Sequence, residues 1–256
     1  MAPRSPKSLR HEYQLHVEEQ IENYKDNVPR SVLLALGDEA VAALAAHQQL
    51  ALTELLLCEE VDRLIRRRLR IPSYDSWRRR KLKQLVELQR PEHWGLRPDD
   101  VVVRTVRPSA DCRVLVAEAE VDGPALYLAA HGCEVTAIDG QVDAVQRVLD
   151  AASQVGLIGR VRGCVADLGT WTPDVPLSAV IYPVSALAGM SSGERARVIT
   201  SLQDATSAGG VHLIATAKLP TQPVPIDELA DRYAGWRLSM EGETGRSSLL
   251  ARKELV

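Results

Sequence analysis

The sequence predicts an α/β fold over residues 101–256, preceded by an α-helical region over residues 1–100. From Val101 onward, short β-branched runs alternate with amphipathic stretches of helix length, which is typical of βαβ units and a mainly parallel sheet. Before that position, apolar residues repeat at spacings of three and four between prolines, as helices require. The chain is therefore expected to contain a helical region and a sheet domain.

Three helices are predicted in the N-terminal region. The first covers residues 9–26 and ends before Pro29, because the residue before a proline is disfavoured in a helix. The second is long, with Asp38 as its N-cap and Pro72 at its end. The third covers residues 74–89, and Pro91 closes it.

Seven strands and three helices are predicted in the C-terminal region. Ser191 and Glu194 have the spacing of a capping box at the start of the third helix, and Gly209 and Gly210 supply its C-terminal stop. The last two strands follow the final crossover, which indicates an antiparallel hairpin at one sheet edge. The strands cover residues 113–117, 134–138, 160–166, 179–182, 211–215, 236–241 and 247–251, and the helices cover residues 124–131, 142–155 and 192–208.

Composition excludes several classes of protein. The 256 residues are 45% hydrophobic and 25% charged, and no apolar run approaches the length of a membrane span. The N-terminus lacks the apolar core of a secretory signal, so a cytoplasmic protein is expected. The four cysteines show no zinc-ligand spacing and are interpreted as buried free thiols. No catalytic residue and no metal ligand stand out.

The segment 114–139 reads VLVAEAEVDGPALYLAAHGCEVTAID. It resembles the opening of a class I S-adenosylmethionine-dependent methyltransferase, in particular the tellurite-resistance and thiopurine methyltransferase branch. In that family a strand, a Gly-x-Gly-x-Gly loop, a helix and a second strand ending in an acid follow one another with this spacing. The resemblance covers residues 112–253, and it implies a Rossmann-like class I methyltransferase-type sheet with helices on both faces.

The glycine motif itself is degenerate. On the family pattern the three loop glycines fall on Glu118, Glu120 and Asp122. Glycine allows positive φ and leaves room for a ligand, and carboxylates also repel the amino-acid carboxylate that the loop holds in the family. The resemblance implies that Asp139 contacts ribose and Asp167 contacts adenine in an active relative. Both acids are equally explained as strand-end or helix-cap residues.

A strongly basic stretch covers residues 63–90, with eleven Lys and Arg against two Asp and Glu. Such a patch favours an acidic partner, and Tyr74 and Trp77 between its two halves make base stacking conceivable. A solvated helix face or docking onto the acidic half of the chain explains the pattern equally well. The candidate partner-binding residues are Arg66, Arg67, Arg68, Arg70, Trp77, Arg78, Arg79, Arg80, Lys81 and Lys83.

Three functions follow from these observations. The first is a methyltransferase-fold protein that has lost S-adenosylmethionine binding and has no cofactor. It binds a protein partner or itself through the basic helices. Nucleic acid is an alternative partner of these helices, and no membrane binding is expected. The second is an active methyltransferase with an atypical cofactor loop, which would use S-adenosylmethionine. The third is a site for a cationic ligand or metal at Glu118, Glu120 and Asp122, and it ranks last because a tight turn scatters the three side chains.

Overall fold

The computed structural model describes residues 8–46, 54–109, 111–118, 122–217, 224–243 and 246–254. The chain divides into two compact units, Met1–Gln84 and Leu85–Val256. The sequence places this boundary at residue 100. The structure places it earlier because Leu88, Leu96 and Val102 pack into the core of the second unit.

The first unit is helical. Its elements are α1 Leu9–Asn27, α2 Arg30–Ala46, α3 Glu54–Arg68 and the first part of α4 Tyr74–Leu88. The Ser8 hydroxyl caps α1 by accepting a hydrogen bond from the backbone N–H of His11 at 3.2 Å. Apolar side chains of three helices form the core of this unit, namely Val17, Ile21, Leu36, Ala40, Leu64 and Ile65.

The prediction of one long second helix is wrong. Asp38 lies inside α2 and does not cap it, because the helix begins at Arg30, directly after Pro29. The Pro29 carbonyl accepts the backbone N–H of Val32, which fixes the first turn. Residues 47–53, between α2 and α3, lie outside the described residues. An apolar spacing of three and four continues across both helices, so periodicity alone did not separate them.

The second unit contains the sheet. Before the sheet come a 3₁₀ helix, Pro91–Trp94, and the short α5, Val101–Thr105. The remaining helices are α6 Gly123–Ala130, α7 Val142–Gln154, α8 Ser192–Ala205 and α9 Ile226–Arg232. The strands are β1 Arg113–Ala117, β2 Glu134–Asp139, β3 Val161–Val165, β4 Leu177–Pro183, β5 Thr206–Ala217, β6 Trp236–Glu243 and β7 Arg246–Lys253.

The strands form one sheet in the order β3-β2-β1-β4-β5-β7-β6. Strands β1 to β5 run parallel, while β7 pairs antiparallel with both β5 and β6. The seven predicted strands and the antiparallel hairpin are confirmed. The order reverses between β1 and β4, and ligands of open α/β sheets bind at the carboxyl ends of the strands beside such a reversal.

The two faces of the sheet bury different side chains, as strand geometry requires. Val114 and Val116 of β1 pack in one core, and Leu115 and Ala117 pack in the other. The predicted capping box of α8 is present. The predicted glycine stop is wrong, because α8 ends at Ala205 and the two glycines lie inside β5, where the register with β4 shifts.

None of the helices in the described part of the chain is long and apolar enough to cross a membrane.

Candidate functional site

Four predicted site residues lie where β1, β2 and β3 end or in the turns that follow. Glu118 follows β1, Asp122 precedes α6, Asp139 ends β2, and Asp167 follows β3. Glu120 lies outside the described residues. The carboxyl ends of parallel strands meet at one edge of a sheet, so the fold collects these acids on the edge beside the topological reversal.

Glu118 takes the backbone conformation of a glycine. Its φ is +50°, in the left-handed region that costs an L-residue about 1–2 kcal/mol. Its backbone N–H donates to the Ile138 carbonyl at 2.9 Å, which ties the end of β1 to β2. Glu118 therefore holds a backbone conformation that glycine adopts without this cost.

The side chain of Glu118 reaches toward the end of β4. Its Oε2 accepts a hydrogen bond from the Ser185 hydroxyl at 2.8 Å, and Ser185 lies in a 3₁₀ helix, Val184–Leu187, that directly follows β4. A carboxylate and its partner therefore lie between the carboxyl ends of β1 and β4. No local pattern indicates this contact, because the two residues are 67 positions apart.

Asp139 and Asp167 are brought together through Gly140. Asp139 is only 7% exposed, and its Oδ1 accepts the backbone N–H of Gln141 at 2.8 Å. The Asp167 carboxylate lies so close to Gly140 that a Cβ there would stand 2.6 Å from Oδ1. The absence of a side chain at residue 140 is what allows the Asp167 carboxylate to approach the turn that follows Asp139.

Asp122 stands at the N-cap position of α6 without capping it. Its side chain makes no capping hydrogen bond, and its Oδ1 is buried with no hydrogen-bond partner. Burial raises the pKa of this carboxyl, and the charge of Arg147 lowers it. The next residue, Gly123, packs so tightly against Trp94 that a Cβ would stand 2.5 Å from the Trp94 carbonyl oxygen.

In the described part of the chain, no group of three or more His, Cys, Asp or Glu side chains is arranged to hold a metal ion. The carboxylates at the sheet edge are instead bound by local hydrogen bonds, as at Glu118 and Asp139.

The predicted basic residues lie on α3, on the turn after it and on α4. Arg68 forms an ion pair with Glu39 at 3.0 Å. Trp77 is half-buried and packs beside Tyr13, His16 and Tyr74, so its ring is a packing residue of the first unit. The remaining predicted cations make no ion pair with another described residue, namely Arg66, Arg67, Arg70, Arg78, Arg79, Arg80, Lys81 and Lys83.

Sequence reasoning missed a buried polar chain that runs across β4, β5 and the end of α9. The Thr206 hydroxyl donates to the Leu202 carbonyl at 2.6 Å, so it accepts from His212 Nε2 at 2.8 Å. His212 Nδ1 then accepts from the Tyr233 hydroxyl at 2.7 Å, and Tyr233 accepts from Tyr182 at 3.0 Å. Burial lowers the pKa of His212 to about 3, so the ring is neutral.

Known structures resemble the second unit. The [4+2]-cyclase SpnF aligns with a TM-score of 0.51 and 18% identity, over 62% of this chain and 81% of SpnF. This is the fold of the class I methyltransferases. The predicted sheet with helices on both faces is thereby confirmed.

Two further structures align with lower TM-scores. TehB from Haemophilus influenzae aligns with a TM-score of 0.48 and 19% identity over 57% of this chain, and the match spans only 58% of TehB. The N-methyltransferase NodS from Bradyrhizobium japonicum, solved with S-adenosylhomocysteine, aligns with a TM-score of 0.47 and 14% identity over 67% of this chain and 96% of NodS. No family model and no curated protein matches the sequence.

Proposed function

We propose that this protein has the methyltransferase fold without S-adenosylmethionine binding, and that it acts by binding an acidic partner protein through its basic helices. The observation that carries the first half is Glu118, which stands in the glycine conformation with its carboxylate held by Ser185. A fold alone does not establish a reaction, because one fold supports many activities. SpnF, which shares the fold, is itself named for a cyclase reaction.

Glu118 opposes the cofactor in two ways. Its side chain fills space that a glycine would leave open between β1 and β4. Its charge also repels the amino-acid carboxylate of S-adenosylmethionine, by about 4 kcal/mol at 4 Å and an effective dielectric near 20. At about 1.4 kcal/mol per tenfold change, that repulsion alone weakens binding by nearly a thousandfold. The residues present therefore do not fit the methionine end of the cofactor.

The test is titration calorimetry of the folded full-length chain with S-adenosylmethionine and S-adenosylhomocysteine. We expect no saturable heat with either ligand at micromolar protein concentration. Circular dichroism on the same sample shows that the protein is folded. A one-to-one isotherm with either ligand would overturn the proposal.

An active methyltransferase is the second candidate, and one observation favours it. Asp139 ends β2 and the Asp167 carboxylate contacts the adjoining Gly140, and the resemblance implies contacts of these two acids with ribose and adenine in an active relative. This candidate requires that the unmodified chain bind S-adenosylmethionine and that Asp139→Ala abolish the binding. An Asp139→Ala variant that is stable and binds as the unmodified chain does would eliminate this candidate.

The basic surface supports the second half of the proposal. Arg78, Arg79 and Lys83 of α4 are exposed, and so are two apolar side chains of the same helix, Leu82 at 40% and Val86 at 59%. Residues 79, 82, 83 and 86 share one helical face because they are three or four positions apart. A face that is both basic and apolar suits an acidic protein surface better than a phosphate backbone, which offers no apolar contact.

Charge reversal tests this surface. Arg79→Glu with Lys83→Glu should weaken binding of a labelled polyglutamate peptide by tenfold or more, since each pair with a partner charge contributes up to about 1 kcal/mol. The matched control, Arg147→Glu with Arg197→Glu, changes the net charge equally on the second unit and should leave binding within twofold. Equal losses in both variants would refute a role for α4. Tighter binding of an RNA oligonucleotide than of the peptide at equal salt would assign the surface to nucleic acid instead.

A further inference from the structure

Two cysteines stand side by side at the amino edge of the sheet, opposite the edge that carries the acids. Cys112 precedes β1 and Cys133 precedes β2, and the next residues, Arg113 and Glu134, are paired in parallel register. The backbone N–H of Glu134 donates to the Cys112 carbonyl at 2.8 Å. Neighbouring strands lie about 4.8 Å apart, and disulfides join Cα atoms that are about 4.4–6.8 Å apart.

The two side chains also point the same way. Both cysteines are buried in the same apolar core, on one face of the sheet. The register of β1 and β2 and this shared face place the two side chains next to each other on neighbouring strands, within the reach of a disulfide.

The environment distinguishes the two thiols. The neighbouring Cys133 thiol is the largest cause that lowers the pKa of Cys112, against the opposing effect of burial. The Cys112 thiol and burial raise the pKa of Cys133. Cys112 is thus the thiol that deprotonates first, and Cys133 is its protonated partner. A thiolate is the form of cysteine that reacts.

A cavity gives access to Cys112. It has a volume of about 180 Å³ and lies at the amino ends of β1, β4 and β5, with Cys112 and Ser178 in its wall. Two guanidinium groups, Arg107 and Arg252, also line it. Each water occupies about 30 Å³ in the liquid, so a molecule as small as hydrogen peroxide fits this space.

We propose that Cys112 and Cys133 are an oxidisable pair that a hydroperoxide converts into a disulfide between the starts of β1 and β2. The Cys112 thiolate attacks one peroxide oxygen, the O–O bond breaks, and the leaving oxygen takes a proton as water or an alcohol. The Cys133 sulfur then attacks the sulfur of the Cys112 sulfenic acid. The S–O bond breaks, water leaves with the Cys133 proton, and the S–S bond forms. Two thiols are oxidised and one peroxide is reduced.

The other cysteines are removed for the test. Cys58 is exposed and Cys164 is half-buried, so Cys58→Ser with Cys164→Ser leaves only the pair in the full-length chain. This variant is treated with hydrogen peroxide, quenched with catalase, denatured and alkylated with iodoacetamide. We expect a monomer whose intact mass is lower by two hydrogens and which takes up no alkyl group. Dithiothreitol should restore both thiols. A Cys112–Cys133 linked peptide identifies the bond.

Single substitutions in the pair assign the roles. With Cys133→Ser, dimedone should label Cys112, because the sulfenic acid has no second thiol to react with. With Cys112→Ser, Cys133 should stay reduced at the same peroxide dose. Because the pKa of Cys112 is lowered, the rate of disulfide formation should rise with pH and level off at a lower pH than for an ordinary thiol with a pKa of about 8.5.

Three results would overturn the proposal. The first is that the pair-only variant keeps both thiols at a peroxide dose that oxidises Cys58 in the unmodified chain. The second is that only disulfide-linked dimers form. The third is that the disulfide forms equally well in denaturant. The first and third results are measured on chains that retain both Cys112 and Cys133, so the test does not depend on whether a chain with one of them substituted still folds.

Discussion

Replacing Glu118 with glycine or with alanine isolates the left-handed conformation of this residue. Both variants lose the carboxylate and the hydrogen bond to Ser185, so those losses cancel in the comparison. Alanine at a φ of +50° retains a cost of about 1–2 kcal/mol, which glycine does not have. Glycine loses about 0.5–1 kcal/mol more in backbone entropy on folding. Glu118→Gly should therefore be more stable than Glu118→Ala by about 0.5–1 kcal/mol.

The order should reverse at an ordinary helical position. Thr200 is exposed in the middle of α8, and there alanine should be more stable than glycine by about 1 kcal/mol. Thermal unfolding followed by circular dichroism measures both pairs, since 1 kcal/mol moves the Tm of a unit of this size by about 2–4 °C. If Glu118→Ala melted above Glu118→Gly, as at Thr200, the left-handed conformation of Glu118 would be refuted.

Two further predictions concern packing and pH. Gly123→Ala should lower the free energy of unfolding by about 1–3 kcal/mol, because its Cβ would meet the Trp94 carbonyl. The control is Gly193→Ala, whose Cβ meets no atom within 4 Å and which should be neutral or slightly stabilising in chemical denaturation. Equal destabilisation by Gly123→Ala and Gly193→Ala would contradict the tight packing at Gly123. The pKa of His212 falls to about 3 in the folded state, so the unfolded chain binds more protons than the folded chain below pH 6.5. The free energy of unfolding should therefore fall by about 2 kcal/mol between pH 6.5 and pH 5. His212→Gln should remove that part of the slope, and an unchanged slope would exclude His212 as its source.

Local patterns in the sequence predicted most of the sheet. β1 was placed with its observed bounds, and the remaining strands were placed within a few residues, because each is a short β-branched run between polar turns. Gly209 and Gly210 were misread because glycine ends a helix and forms a strand irregularity equally well. Helix α2 was misplaced because apolar periodicity carries no information about where one helix ends and the next begins.

The candidate site was predictable in part from the family resemblance. Positions 118, 122, 139 and 167 were found by laying the chain on the methyltransferase pattern, and the structure has them at strand ends or in the turns that follow. The Ser185 contact, the polar chain around His212 and the pairing of Cys112 with Cys133 depend on which strands become neighbours in space. That information is absent from local spacing, so it came only with the sheet order and register.

Titration of the folded chain with S-adenosylmethionine decides whether the chain binds this cofactor, because the proposal that it does not bind rests on Glu118 and its bond to Ser185. We expect no saturable heat and no shift of the melting temperature with S-adenosylmethionine or S-adenosylhomocysteine. A one-to-one isotherm at micromolar concentration, with a matching rise of the melting temperature, would contradict it and make the chain a cofactor-binding methyltransferase candidate.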